Sequence, residues 1–129
     1  MIKLQSWPLI SMLLLLVGCA TVPITGRSQL SIINNSELIP MSFQQYEEVL
    51  KDNEISENNK QASLVKKVGV KIQKAVEAYL EKEGQSEILN NFEWEFNLLE
   101  DKTVNAWCMP GGKVAFYTGI LPVCQGEKG

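Results

Sequence analysis

Apolar residues recur between Ile39 and Leu50 at spacings of four, three and four, as Ile39, Phe43, Tyr46 and Leu50. That period places them on one face of an α-helix. Asn34 or Ser36 can cap it. If Ser36 does, Pro40 falls late in the first turn, where a missing amide proton and a bulky ring start the regular helix only at Ile39 or Pro40. A second, longer helix is predicted from Glu57 to Glu83, with Val65, Val68, Ile72, Val76 and Tyr79 along its stripe and Gly84 as its stop. The period then changes. In Phe92-Glu93-Trp94-Glu95-Phe96-Asn97-Leu98 large apolar residues alternate with polar ones, which predicts a strand with one buried face and one wet face. Glu100-Asp101-Lys102 turns the chain, and Val104 to Leu121 forms a hairpin around Pro110-Gly111-Gly112. A short strand is also expected at Leu30-Ser31-Ile32-Ile33. Helices followed by a three-stranded antiparallel meander predict an α+β domain.

The front of the chain has a different pattern. Lys3 precedes an apolar run, Leu9 to Val17, that is too short for a stable membrane span and has the form of an export signal. It runs into Leu16-Val17-Gly18-Cys19, which resembles the lipobox of bacterial lipoproteins. That resemblance implies cleavage before Cys19, acylation of Cys19 and membrane attachment through its acyl chains. Ala20, where an Asp would favour the inner membrane, points to the outer membrane facing the periplasm. The expected organisation is a signal peptide over residues 1–18, a tether over 19–30 containing TGR, and the folded part over 31–129.

Composition narrows the chemistry. The 129 residues are 45% hydrophobic and 21% charged, the balance of one globular domain, with net charge −3. Loss of residues 1–18 removes Lys3 and leaves the remainder more acidic, so nucleic acid is not an expected partner. Cys108 and Cys124 are expected as two buried thiols, since Cys124 lies beyond the paired part of the hairpin. Lys66, Lys67, Lys71 and Lys74 read as a solvated helix face, and Glu93 and Glu95 as solubilising charges on a strand's wet side. Val114, Phe116 and Leu121 read as core. The chain has no histidine, no Ser or Cys set beside a base, no phosphate loop and no cysteine pair at metal-ligand spacing.

The segments PITGRSQL (Pro23 to Leu30), WEFNLLEDKTVNAWCMPGG (Trp94 to Gly112) and KVAFYTGIL (Lys113 to Leu121) resemble the N-terminal half of the HtpX-like and CAAX-prenyl-protease-like zinc metallopeptidases, peptidase family M forty-eight. The resemblance covers most of the sequence after Cys19 and is nearest to the lipoprotein branch. It implies the first part of a zincin-like domain, with protein or peptide substrates hydrolysed in the cell envelope. In that family an H-E-x-x-H helix follows the YTG motif, its histidines and a later glutamate holding zinc and its glutamate serving as base. Those positions are absent here, so the chain is expected to bind no zinc and to be inactive by itself. By the same resemblance Asn105, Ala106 and Trp107 form an edge that pairs with an extended substrate. The alternative is a non-catalytic envelope lipoprotein binding a partner through that edge.

Overall fold

A computed structural model describes residues 19–22, 25–30 and 35–127. The expected signal peptide and residues 31–33 of the expected first strand lie outside them. The chain divides into two units, residues 1–35 and 36–129.

In the first unit, β1 (Cys19–Thr21) pairs antiparallel with β2 (Ser28–Leu30), Cys19 opposite Leu30 and Thr21 opposite Ser28. The amide of Val22 donates to the carbonyl of Arg27 at 2.7 Å, and that of Gly26 to Val22 at 3.0 Å. The TGR segment is therefore the turn of a small hairpin.

Two helices follow, α1 (Asn35–Asp52), whose residues from Ser36 on belong to the second unit, and α2 (Asn59–Lys82). Pro40 lies inside α1 rather than at its start, so the helix begins a full turn earlier than Pro40 suggested. Its face is the predicted one: Ile39 and Tyr46 are buried and Phe43 and Leu50 half-buried, with Ser42 buried among them. Helix α2 starts where Asn58 accepts a side-chain cap hydrogen bond from the amide of Gln61 at 3.2 Å. Its buried face is rotated from the predicted stripe. Val65, Gly69 and Leu80 are buried, whereas Ile72 and Tyr79 are 54% and 43% exposed. The reason is Phe96, whose ring lies where a Cβ on Gly69 would have to be. The absent side chain is what lets helix and strand approach so closely there.

The sheet corrects the meander. Strand β3 (Glu95–Leu99) pairs in parallel with β5 (Lys113–Tyr117), and β4 (Ala106–Met109) pairs antiparallel with β5, giving the order β3-β5-β4. The second arm of the hairpin is thus central, and residues 100–105 cross over its end instead of making a tight turn. The crossover is pinned by hydrogen bonds: Gly119 N to Asp101 O at 2.8 Å, Thr118 Oγ1 to Asp101 O at 3.0 Å, and Tyr117 N to Asn105 O at 3.1 Å. At the other end, Gly111 and Gly112 both have φ of +87°, a conformation that favours glycine, and their carbonyls accept from the amides of Glu93 and Glu95. Pairing toward β3 therefore begins inside the turn itself.

Alternation along the strands then sorts side chains onto two faces. Phe96, Leu98, Val114 and Phe116 meet Ala62 and Val65 of α2, together with Trp94 and Leu121. On the opposite face Leu99, Ala115, Trp107, Met109 and Tyr117 meet Tyr46, Val49 and Leu50 of α1. The expected wet face is partly covered, at Glu95 and Asn97, whereas Glu93 stays exposed. The fold is α+β, with a mixed sheet between two helices.

Candidate functional site

The two edges of the sheet differ. Outside β3, residues 54–56 run alongside as a short antiparallel cover, with Ile55 bridged to Leu99, Ser56 N donating to Leu98 O and Glu100 N to Glu54 O, both at 2.8 Å. Outside β4 no strand pairs among the described residues. The strand Ala106-Trp107-Cys108-Met109 also carries no charge and no proline, the usual guards of an open edge.

Which groups this edge offers follows from the ladder. Antiparallel residues alternate between pairs that exchange hydrogen bonds and pairs that do not. Because Tyr117 N bonds Asn105 O, and Trp107 and Met109 lie opposite Ala115 and Lys113, the bonded pairs contain Asn105, Trp107 and Met109. Ala106 and Cys108, opposite Phe116 and Val114, therefore turn their backbone N–H and C=O groups outward. Of the three residues expected at the edge, Ala106 offers its main chain, while Asn105 and Trp107 spend theirs on β5. The sequence reading missed Cys108. Only the ladder's phase, set by the position of the turn, could reveal it.

Trp107 contributes differently. Its ring meets Tyr46 edge-on, with centroids 5.8 Å apart and planes at 77°, so it anchors β4 to α1. Tyr46 is 1% exposed; its hydroxyl donates to Val114 O at 2.8 Å and accepts from Asn97 Nδ2 at 3.2 Å. Burial pushes its pKa up to about 12, against the lowering hydrogen bond from Asn97 and with a smaller raising contribution from the charge of Glu95. Asn97 also donates to Glu95 Oε1 at 2.7 Å, and Lys113 Nζ donates to Glu95 at 3.1 Å and lies 4.5 Å from the centroid of the Phe43 ring. Glu93 pairs with the same lysine at 3.5 Å. Glu93 thus stays an exposed charge, as expected, while the half-buried Glu95 is the closer ion-pair partner of a buried lysine. Ser42 Oγ donates to Pro110 O at 2.8 Å, fixing the hairpin tip to α1.

At the crossover, Thr103 N donates to Asp101 Oδ1 at 2.8 Å, and hydrogen bonding from Thr103 holds the Asp101 carboxyl below its usual range. Cys108 and Cys124 are both unpaired, as expected, but Cys108 is exposed and Cys124 half-buried, so they are not two buried thiols. Cys19, the expected lipidation site, is the first residue of β1. Lys66, Lys67, Lys71 and Lys74 are exposed, as expected. Among the described residues no group of three or more His, Cys, Asp or Glu could hold a metal ion.

No family model matches the chain. The mitochondrial metalloendopeptidase OMA1 of Schizosaccharomyces pombe is 46% identical over 41 residues, 32% of this chain and 12% of that protein. Its namesake from Saccharomyces cerevisiae is 35% identical over 54 residues, 40% of this chain and 16% of that protein. The matched segments therefore span less than a fifth of either relative. Both relatives are mitochondrial. That overturns the bacterial outer-membrane location read from Leu16-Val17-Gly18-Cys19, because a short apolar run ending in a small residue and a cysteine is a local pattern that carries no address by itself. Among the described residues no helix is long and apolar enough to cross a membrane. Over the shared segments the chain is related to metalloendopeptidases.

Proposed function

We propose that this chain contributes the substrate-pairing edge of a zinc metalloendopeptidase, with β4 receiving an extended polypeptide as an added strand. The observation that carries the reading is the open, uncharged edge at Ala106 and Cys108, backed by a buried tyrosine, in a chain related to metalloendopeptidases. Main-chain pairing suits a peptidase acting on many sequences, because amide groups are common to all of them. Ala106 and Cys108 supply donors and acceptors, Trp107 and Met109 keep the strand on α1, and the pinned crossover at residues 100–105 fixes where the edge begins.

The residues present do not fit zinc. There is no histidine, and the described acidic and cysteine side chains form no ligand cluster, so no hydrolytic step is assigned to them. The ligands of a complete peptidase would come from sequence other than these 129 residues.

Two measurements test the reading. Added to the isotope-labelled chain, a Lys-flanked peptide of alternating Leu and Thr should shift and protect the amides of Ala106 and Cys108, leaving Trp107 and Met109, already bonded, little changed. Uniform perturbation, or none at β4, counts against the edge. The gene downstream of the Gly129 codon should encode an in-frame His-Glu-x-x-His. A stop codon there would instead favour the non-catalytic reading, in which the same edge binds a protein partner.

A further inference from the structure

Resting on the reading of β4 as a pairing edge, we infer that Tyr46 is the positioning residue of that edge, setting the orientation of Trp107 and through it the aim of the outward groups of Ala106 and Cys108. Strand β4 is four residues long and, among the described residues, is hydrogen-bonded along one side only. Its hold on the rest of the fold must therefore come largely from side chains. On the α2 face it has only half-buried Ala106 and exposed Cys108; its large side chains, Trp107 and Met109, both pack toward α1.

Trp107 is seated edge-on against the ring of Tyr46. The orientation of that ring is fixed at its far end, where the hydroxyl bonds the carbonyl of Val114 on β5 and the amide of Asn97 on β3. One buried side chain on α1 thus touches all three strands. Asn97 is fixed in turn through Glu95 to Lys113, whose backbone opens β5. A strand entering at β4 needs the N–H and C=O groups of Ala106 and Cys108 directed at it before it arrives. Tyr46 does that by holding the residue between them.

A residue that merely filled the core would affect stability alone, so the test reads position. The full chain is labelled with 5-fluorotryptophan, and the Trp107 fluorine signal is assigned with Trp107→Phe. Tyr46→Phe keeps the ring and removes both hydrogen bonds: the Trp107 signal should move, and affinity for the Leu/Thr peptide should fall about threefold. Tyr46→Leu removes the ring: the signal should broaden and affinity per folded molecule should fall about tenfold or more, the cost of losing a preorganised edge. An unchanged Trp107 signal and unchanged affinity in Tyr46→Phe overturn the positioning role, whether or not Tyr46→Leu folds. If the wild-type chain fails to pair with the peptide at β4, the edge reading falls and the positioning role with it; pairing that persists undiminished in both variants overturns only the role of Tyr46.

Discussion

The two faces of the sheet are built from different chemistry. Against α2 the contact is apolar throughout: Val65, Phe96 and Leu98 form its centre, and Trp94 stacks on Phe96 with planes 15° apart and centroids 6.2 Å apart. Against α1, Leu99 and Ala115 are fully buried beside a phenol, an amide, a carboxylate and an ammonium group that satisfy one another. An apolar face can be closed by any side chains of suitable volume, whereas a polar one closes only when each donor finds its acceptor. The α1 face is therefore the one that can fix strand positions, and it is the face that carries Trp107. The α2 face supplies burial.

The largest expected effect tests whether both faces are core. Leu98 is 2% exposed on the α2 face and Leu99 0% on the α1 face. Truncating a buried leucine costs about 2 to 5 kcal/mol, so Leu98→Ala and Leu99→Ala should each destabilise by about 3 kcal/mol in denaturant melts. If Leu99→Ala costs less than about 1 kcal/mol, the α1 face is open to water and the comparison collapses.

The next effect belongs to the polar face alone. Folding raises the Tyr46 pKa from 10.0 to about 12, so the folded state favours the neutral phenol. The stabilisation is complete below pH 10, declines as pH rises toward 12, and is lost above it. Two units correspond to roughly 3 kcal/mol. Alkaline melts should show wild type losing stability over this range relative to Tyr46→Phe, whose own profile contains every other titrating group. Parallel profiles would mean that the phenol is not buried in solution.

How far the sequence foretold these faces depends on what each interaction needs. The α1 stripe was legible because Ile39, Phe43, Tyr46 and Leu50 follow the helical period, and the apolar face of β3 because Phe96 and Leu98 follow the strand period. Asn97 and Glu95 were read as wet for the same reason, since alternation records polarity and says nothing of a tyrosine and a lysine brought from elsewhere in the chain. Strand order was also hidden. A hairpin next to a strand predicts neighbours in sequence order, and only the pinned crossover puts Lys113–Tyr117 between the other two. At the candidate site, the resemblance names Asn105, Ala106 and Trp107, but which of them turns main-chain groups outward, and that Cys108 does so, depends on ladder phase.

A smaller effect probes the apolar face. Gly69→Ala should gain about 1 kcal/mol of helix propensity. The new methyl, however, meets the Phe96 ring at its base as well as its edge, and overpacking of a tight core costs about 1 to 3 kcal/mol. The two terms predict a net loss of up to about 2 kcal/mol where an exposed helix position would gain. The double variant Gly69→Ala with Phe96→Leu should recover part of the Gly69→Ala loss relative to Phe96→Leu alone. A stabilised Gly69→Ala would show that α2 stands farther from β3.

The smallest effect contrasts an ion pair made by a buried lysine with one made by exposed lysines. The difference lies in the lysines: Lys113, its side chain 10% exposed, pairs with a Glu95 that is 40% exposed. On the outer side of α2, Lys67 and Lys71 are 59% and 60% exposed and both reach the carboxylate of Glu127, Lys67 at 2.8 Å. They lie four residues apart, hence on one helix face, and can share one carboxylate. Hydrogen bonds from Lys67 and then Lys71 lower the Glu127 pKa from 4.5 to about 2. The sign follows: the pairing is present above pH 4.5 and is lost as pH falls through 2. Because all three groups face water, salt should weaken the pairing, and Glu127→Gln should barely change the melt. Carboxyl-detected NMR should find Glu127 titrating below its ordinary value at low salt and closer to it at high salt, while the contacts of Lys113 beneath α1 persist. A Glu127 that titrates near 4.5 at low salt would show that the segment after α3 (Leu121–Cys124) does not rest on α2, and would leave the inner lysine as the one whose pairing bears on the fold.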